Sequence, residues 1–442
     1  MGIAYLASVL KEKGHDVHVY NMAIYHYSIS EMLELYKNHR FDVIGIGFIC
    51  GYYSFKEVTK ICDALNTIDR PRVILGGHGP SPAPAAEFFL KRLQAEFVVL
   101  GEAELSLPML IDALEKGTSY TDLPGIAYRD SNTVYFNKRM DPVKNLDTIP
   151  FPAWELFPME SYIANHPEPT KPEDRFGNVF TSRGCPFVCN FCYRMERGIR
   201  MRSVDNVMEE IGTLIDRYKI NYIQFQDELM MVSERRILEL CDGIEKNKFK
   251  FEFQFNGRLD IVTRVMLKRL KEVGCRFINY GIESADQKVL DNMDKRLTLE
   301  QIHKGLQMTI DSGIDPGVNI LFGNIGDTRE TFKKGFELLK KYDTFCQNRT
   351  IKPVTPFPGT PLYDYAIDKG LLKDAEDFYI KHINSDSFTV NFSNVPDEEA
   401  YKLIFDANSF LIKEYHRRKG EAQIEGLRRL YFEKDANFRG VR

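Results

Sequence analysis

Three cysteines stand close together in the middle of the chain. They are Cys185, Cys189 and Cys192, with the spacing C-x3-C-x2-C, directly after a predicted strand at Asn178–Thr181. Closed zinc sites and plain electron-transfer clusters take four ligands, whereas three thiolates leave one iron of a [4Fe-4S] cluster open to an added ligand. Two other interpretations stay open at this point: a zinc site completed by a distant Cys or His, and three thiols buried in the core.

The composition limits the kind of protein. With 43% hydrophobic and 28% charged residues among 442, the chain should form soluble domains with large cores. The formal net charge of -4 offers no field for a polyanion, so nucleic acid is not an expected partner. The N-terminus lacks the features of a signal peptide or a membrane span. The other five cysteines are isolated, which predicts buried core thiols and a cytoplasmic location; they lie at positions 50, 62, 241, 275 and 346.

The first 117 residues alternate apolar runs with amphipathic stretches, which predicts a parallel sheet covered by helices. The predicted strands are Asp16–Tyr20, Phe41–Phe48, Arg72–Leu75 and Glu96–Leu100. The predicted helices are Gly2–Lys13, Ser30–Asn38, Phe55–Asn66 and Pro84–Leu93. Because the chain opens on a helix, we expect the sheet to lack its usual first strand. A hairpin is predicted next, with strands at Pro124–Arg129 and Thr133–Phe136.

A second series of strands and helices follows a proline-rich connector and predicts a partial barrel of six parallel strands. The predicted strands are Asn178–Thr181, Tyr222–Phe225, Phe251–Asn256, Phe277–Gly281, Pro316–Phe322 and Thr350–Val354. Two helices, Asp397–Arg417 and Ala422–Phe432, should form a C-terminal appendage. We therefore expect four segments: an α/β domain at 1–137, a connector at 138–177, the barrel at 178–365 and a mainly helical region at 366–442.

The cysteine spacing, with Phe191 just before the last cysteine, resembles the signature of the radical S-adenosylmethionine (SAM) superfamily. The similarity extends over residues 176–362, where the six strands agree with that family's TIM-like partial barrel. It implies a [4Fe-4S] cluster on Cys185, Cys189 and Cys192, with SAM bound to the open iron and cleaved on reduction to a 5'-deoxyadenosyl radical. It also implies an external electron donor, such as flavodoxin or ferredoxin, and a small-molecule or natural-product substrate.

The same resemblance implies further SAM-binding residues at the carboxyl ends of the barrel strands, which form the catalytic face of such a barrel. After the second strand, Asp227 or Glu228 should face the SAM ammonium, and which of the two does so stays open. Asn256 and Arg258 end the third strand. Glu283 ends the fourth strand, where it could accept hydrogen bonds from the ribose or the methionine end of SAM.

The N-terminal segment resembles the cobalamin (B12)-binding domain that precedes many of these enzymes, a flavodoxin-like, Rossmann-type fold. The similar stretches are Gly2-Ile3-Ala4-Tyr5-Leu6-Ala7, Gly14-His15-Asp16-Val17, Gly76-Gly77-His78 and Gly101-Glu102-Ala103-Glu104. The resemblance implies a corrin tail over Gly76, Gly77 and Gly101, with His78 either beside it or simply a turn residue. The cobalt-ligating motif D-x-H-x-x-G is absent, because Asn21 replaces its glycine.

These observations predict a radical SAM enzyme with a cobalamin-binding-type domain. Its expected chemistry is hydrogen abstraction from an unactivated carbon, followed by methyl transfer if cobalamin is bound. Two alternatives stay open: a cobalamin-independent dehydratase or rearrangement enzyme, and a non-catalytic iron-sulfur or zinc protein.

Overall fold

The computed structural model describes residues 1–50, 52–69, 71–93, 95–164, 168–382 and 384–434. The N-terminal part contains a five-stranded sheet in the order β1-β2-β3-β4-β5. Its strands are β1 (Val43–Gly47), β2 (Arg72–Gly76), β3 (Phe97–Val99), β4 (Ile126–Asp130) and β5 (Thr133–Phe136). The first three are parallel, and the predicted hairpin adds β4 and β5 as antiparallel neighbours.

Six helices accompany this sheet in the described residues: α1 (Gly2–Glu12), α2 (Met22–Tyr25), α3 (Ile29–His39), α4 (Tyr52–Leu65), α5 (Ala83–Arg92) and α6 (Ser106–Lys116). The prediction of a strand at Asp16–Tyr20 is wrong, because this segment has no regular structure. Its β-branched and aromatic residues favour an extended chain, but an extended segment becomes a strand only when a neighbour pairs with it, and the edge strand β1 does not pair with residues 16–20.

The expected partial barrel is confirmed as a six-stranded sheet in the order β13-β12-β11-β10-β9-β6, with parallel pairing throughout. Its strands are β6 (Phe176–Val179), β9 (Tyr222–Phe225), β10 (Glu252–Gly257), β11 (Cys275–Glu283), β12 (Asp315–Phe322) and β13 (Lys352–Pro353). Since β6 begins at Phe176, the first barrel strand starts inside the predicted connector. The division of the chain into four segments stays a prediction.

Helices α7 (Met159–Ala164), α8 (Val204–Tyr218), α9 (Glu234–Lys246), α10 (Arg264–Glu272), α11 (Gln287–Asn292), α12 (Leu299–Asp311) and α13 (Arg329–Tyr342) belong to the connector and the barrel. Five of these begin after a Ser or Thr whose hydroxyl accepts a backbone N–H of the first turn. Such caps satisfy otherwise unpaired donors and fix where each helix starts. The crossover helices therefore hold the strand ends at one face of the barrel.

The C-terminal region contains α14 (Pro361–Asp368), α15 (Ala375–Lys381) and α16 (Asp397–Arg428), which continues as a π-helical turn to Glu433. The prediction of two helices is wrong, because α16 is continuous through Gly420. A glycine costs a helix only about 1 kcal/mol relative to alanine. The ion pair between Arg417 and Glu421 spans that position. Among the described helices, none is long and apolar enough to cross a membrane.

Candidate active site

The three cysteines lie on a hairpin beside the mouth of the barrel. Strand β7 (Ser182–Cys185) pairs antiparallel with β8 (Gly198–Met201), and the loop between them carries Cys189 and Cys192. Gly184 has φ +87°, and a Cβ there would lie 2.4 Å from the carbonyl oxygen of Gly198. Only glycine permits this close approach of the two strands, so the residue just before Cys185 sets the entry to the loop.

The loop is held from several sides. The backbone N–H of Asn190 donates to the carbonyl oxygen of Met293 (3.0 Å), and the carbonyl of Asn190 accepts from Leu362 (2.9 Å). The guanidinium of Arg258 stacks 3.5 Å from the ring centroid of Phe187. The loop is thereby fixed by residues from three separate parts of the chain.

The three thiols are free and differ in exposure: Cys189 is buried, Cys185 is partly buried and Cys192 is exposed. Desolvation raises the pKa of Cys185 and of Cys192, and neighbouring thiols raise the pKa of each further. Within the described residues, no three His, Cys, Asp or Glu side chains converge on a single-ion site. The loop therefore gathers three thiols near one another without closing them around one ion.

The two carboxylates after β9 have different roles in the structure. Asp227 is fully buried and accepts the backbone N–H groups of Thr181 (2.8 Å) and Ser182, together with both of their hydroxyls. This carboxylate therefore anchors the chain that leads into β7. Glu228 is exposed and lies near Cys185. Burial of part of the side chain and the charge of Glu102 raise the pKa of Glu228.

Glu283 ends β11 in an uncommon backbone conformation, with φ +74° just after a register shift against β12. A non-glycine residue with such a φ carries strain, which often marks functional positions. Its carboxylate accepts a hydrogen bond from Lys295 Nζ (2.9 Å), and both side chains are buried. Burial opposes the lysine charge, but Glu283 and then Cys189 raise the pKa of Lys295.

Lys295 was not predicted from the sequence, although it stands beside the cysteine loop, 5.7 Å from the ring centroid of Phe191. No spacing rule links it to Glu283, because their contact depends on the turn that follows α11. Arg258, which was predicted to bind SAM, makes its hydrogen bonds with other residues of the protein. Its guanidinium bonds to Asp260 (3.0 and 3.2 Å) and donates to the Lys295 carbonyl (3.0 Å), so it positions the turn that carries Lys295.

The glycines predicted to lie under a corrin tail occupy different surroundings. Gly76 ends β2, and a Cβ there would meet no atom within 4 Å. Gly77 has φ +95°, and a Cβ there would lie 2.6 Å from the carbonyl oxygen of Phe48. A Cβ on Gly101 would lie 2.9 Å from a carboxylate oxygen of Glu196 in the cysteine hairpin. Close packing thus explains why positions 77 and 101 are glycine, whereas Gly76 faces open space.

His78 extends this contact between the two halves. Its ring lies edge-on to Tyr193, with 5.6 Å between the ring centroids, next to Cys192 in sequence. Burial lowers the pKa of His78, so the imidazole is neutral near pH 7.

An ion-pair cluster, which we call the Glu–Arg clasp, also joins the N-terminal sheet to the cysteine hairpin. It consists of Glu102, Glu104, Arg183 and Arg200. Arg183 bonds to Glu102 (3.1 Å) and Glu104 (2.7 Å), and Arg200 bonds to Glu102 through both terminal nitrogens. The arginines lie on β7 and β8, so the clasp holds both strands of the hairpin.

Comparisons with known proteins agree with this architecture. Residues 179–339 match the model of the Radical SAM superfamily, and residues 1–111 match the model of the B12 binding domain. An uncharacterized methyltransferase of Pyrococcus horikoshii is 29% identical over 98% of this chain and 94% of that protein. The anaerobic magnesium-protoporphyrin IX monomethyl ester cyclase of Rubrivivax gelatinosus is 26% identical over 85% of this chain and 68% of its own length.

Among solved structures, the fold is similar to that of the radical SAM methyltransferase TsrM from Kitasatospora setae with cobalamin and a [4Fe-4S] cluster bound. The TM-score is 0.68 at 17% identity, covering 83% of this chain and 72% of TsrM. At this identity the likeness concerns the fold.

Proposed function

Because this chain is a radical SAM enzyme with an N-terminal B12-binding domain, we propose that it transfers a methyl group to an unactivated carbon of a small-molecule substrate. Cys185, Cys189 and Cys192 would hold the [4Fe-4S] cluster, and the N-terminal sheet would hold cobalamin. When bound, the cluster supplies the electron that cleaves SAM, and cobalamin supplies the methyl group. The chain itself supplies positioning and shielding.

The observation that carries this proposal is the grouping of three free thiols with side chains of both charges. Glu228 lies near Cys185, and Lys295 lies near Cys189. SAM carries an ammonium and a carboxylate on its methionine end. The Glu228 carboxylate and the Lys295 ammonium, each near one of the thiols, would pair with these groups through charge-assisted hydrogen bonds.

We assign the residues as follows. Glu228 accepts from the SAM ammonium, and Lys295 pairs with the SAM carboxylate. Glu283 holds Lys295 in place and shares in binding the methionine end. Phe191 covers the same region from the cysteine loop. Asp227 acts as a positioning residue, because its carboxylate is already occupied by Thr181 and Ser182.

Asn256 and Arg258 belong to the supporting structure in this proposal. Arg258 positions Phe187 and the turn at Lys295. Asn256 donates to the carbonyl oxygen of Asp227 (3.1 Å), so it supports the strand end from which Glu228 projects.

We place the corrinoid at the carboxyl end of β2. A Cβ on Gly76 would meet no atom within 4 Å, which supports the approach of a bulky group to the backbone there, and the neutral imidazole of His78 follows two residues later. The sequence lacks the cobalt-ligating motif, so we expect bound cobalamin to show a base-off spectrum without a histidine ligand. The same end of the sheet contacts the cysteine hairpin through Tyr193 and Glu196.

The proposed reaction requires an electron from outside the chain, so we propose an external donor such as flavodoxin or ferredoxin. The eight cysteines are all free in the described structure. Free thiols and an iron-sulfur cluster suit a reducing compartment, and we propose a cytoplasmic location.

Anaerobic reconstitution with iron, sulfide and hydroxocobalamin tests the proposal. We expect about four irons per chain, a change in the cluster's electron paramagnetic resonance (EPR) signal on adding SAM, and 5'-deoxyadenosine formation under reductant. Replacing Cys185, Cys189 or Cys192 singly by Ala should abolish SAM cleavage. Cys241→Ala and Cys275→Ala are matched controls, because both thiols are buried in the core and their loss should cost only about 1 to 3 kcal/mol of stability. Cleavage retained in any triad variant would contradict the proposal.

A further inference from the structure

The inner face of the barrel sheet carries seven carboxamides, whereas branched apolar residues dominate the interior of a packed barrel. Strand register distributes them over five neighbouring strands, while the apolar residues beside them in sequence pack outward against the helices. The inward carboxamides are Asn178, Gln224, Gln226, Gln254, Asn256, Asn279 and Asn319. Six of the seven are only partly buried.

Three of them form a continuous chain of hydrogen bonds, which we call the amide ladder: Asn256, Asn279 and Asn319. Asn319 Nδ2 donates to Asn279 Oδ1 (3.1 Å), and Asn279 Nδ2 donates to Asn256 Oδ1 (3.1 Å). Asn256 Nδ2 in turn donates to the carbonyl oxygen of Asp227 (3.1 Å). All the donors point the same way, from β12 toward the strand end beside the cysteine hairpin.

A count of donors and acceptors shows what the ladder leaves for a ligand. A carboxamide has two N–H donors and a carbonyl oxygen with two lone pairs. Each ladder residue uses one N–H, and Asn256 and Asn279 each use one lone pair. Every member therefore retains one N–H next to a carbonyl lone pair. This pattern complements a group that itself presents an N–H beside a C=O.

Charge disfavours the main competitors. Two carboxylates on the same face, Glu252 and Asp315, lie at the amino ends of their strands, away from the cysteine hairpin, and Glu252 is paired with Arg276. Glu283 and Lys295 lie nearer to the ladder, because both would contact a Cβ on Gly281, two residues beyond Asn279. These two side chains pair with each other (2.9 Å), so their charges are already matched. A ligand carboxylate or ammonium at the ladder would have to compete with this ion pair, which is costly in a partly desolvated site.

We propose that the amide ladder binds the substrate through an uncharged amide-type edge, such as an amide, lactam, urea or nucleobase edge. This inference rests on the proposed function, because it assigns the group that the methyl acceptor presents to the barrel interior. It identifies Asn279, the central member, as a specificity-determining residue.

Ligand-detected NMR on the anaerobically reconstituted protein with SAM present tests the inference with three probes of matched size: benzamide, benzoate and benzylammonium. Benzamide should bind at least about tenfold more tightly than either ion, the equivalent of one or two hydrogen bonds. Asn279→Leu should remove that binding, whereas Asn66→Leu, the same substitution at an exposed position of the N-terminal domain, should not. Asn319→Asp keeps the shape and adds a charge, so it should shift the preference toward benzylammonium.

The inference would be overturned if benzamide did not bind, or if benzoate and benzylammonium bound as tightly as benzamide. A change in SAM affinity in Asn279→Leu with unchanged benzamide binding would assign the ladder to the SAM site and would also overturn it. None of these measurements depends on SAM cleavage or methyl transfer. Failure of the inference is therefore separable from failure of the proposed function, which is tested by 5'-deoxyadenosine formation.

Discussion

Neutralising Glu102 should loosen the connection between the N-terminal sheet and the cysteine hairpin. In the Glu–Arg clasp this carboxylate bonds to Arg183 and Arg200, and its side chain is only 10% exposed, against 18% and 16% for the arginines. Breaking a buried ion pair by removing one partner costs about 3 to 5 kcal/mol. Glu104 still compensates Arg183, and the remaining exposure adds some screening, so we expect Glu102→Gln to cost about 2 to 3 kcal/mol.

Thermal unfolding of the two proteins measures this effect, and for a chain of 442 residues a loss of that size should lower Tm by roughly 2 to 3 °C. Glu57→Gln is the matched control, because Glu57 pairs with Lys60 on an exposed helix surface where both side chains are 50% exposed. Such a surface pair contributes less than about 1 kcal/mol. The iron content of the reconstituted variant should also fall, since both arginines flank the cysteine loop. If Glu102→Gln cost no more than Glu57→Gln, the clasp would not join the two parts as argued.

Three further predictions concern other parts of the molecule. Glu228→Gln should weaken SAM binding by about 1 to 3 kcal/mol in equilibrium titrations, whereas Asp227→Asn should mainly lower Tm, because its amide would oppose backbone donors; the reverse result would exchange their roles. Gly76→Leu should fold and weaken cobalamin binding measured by absorbance, whereas Gly77→Leu should misfold; undiminished binding by Gly76→Leu would place cobalamin elsewhere. Burial lowers the pKa of His382 to about 4, so the unfolded chain binds the proton more readily. Stability should fall by up to about 3 kcal/mol as pH drops from about 6.5 to 4, and an equal pH dependence of Tm in His382→Asn would contradict this.

The strands of the barrel could be predicted because each is a short apolar run between turn residues and capped helices. Tyr222–Phe225 was predicted with its observed bounds. The prediction of a strand at Asp16–Tyr20 was wrong. The preference for an extended backbone is a local property, but a strand also needs a neighbouring strand to complete its hydrogen bonds. The single helix α16 also differed from the prediction, because the cost of Gly420 is small beside the favourable residues around it.

The site was predictable where residues are close in sequence and not where folding brings them together. The cysteine triad is a local pattern, whereas Lys295 meets Glu283 only through a bulged strand end and a turn. The roles of Asp227 and Glu228 could not be assigned from the sequence. The two residues are adjacent carboxylates whose side chains point in different directions, and the sequence does not say which direction faces the site. The amide ladder did leave a signal. Buried parallel strands usually read as continuous apolar runs, but in these strands amides interrupt the apolar residues, as Gln254 and Asn256 do in β10.

The contacts between the two halves place the end of β2, where we propose that cobalamin binds, close to the cysteine hairpin. Tyr379 of α15 donates its hydroxyl to the carbonyl of Gly79 (3.2 Å), and its ring packs against Phe88 and Phe89 of α5. The chain that follows the last barrel strand therefore closes over the N-terminal domain on one side, while the Glu–Arg clasp joins it to the cysteine hairpin on another. In the proposed reaction, a methyl donor on the N-terminal sheet and a radical generated at the hairpin must act on the same carbon. Rigid attachment at two separate places keeps their distance constant during the reaction, which a flexible linker between independent domains would not do.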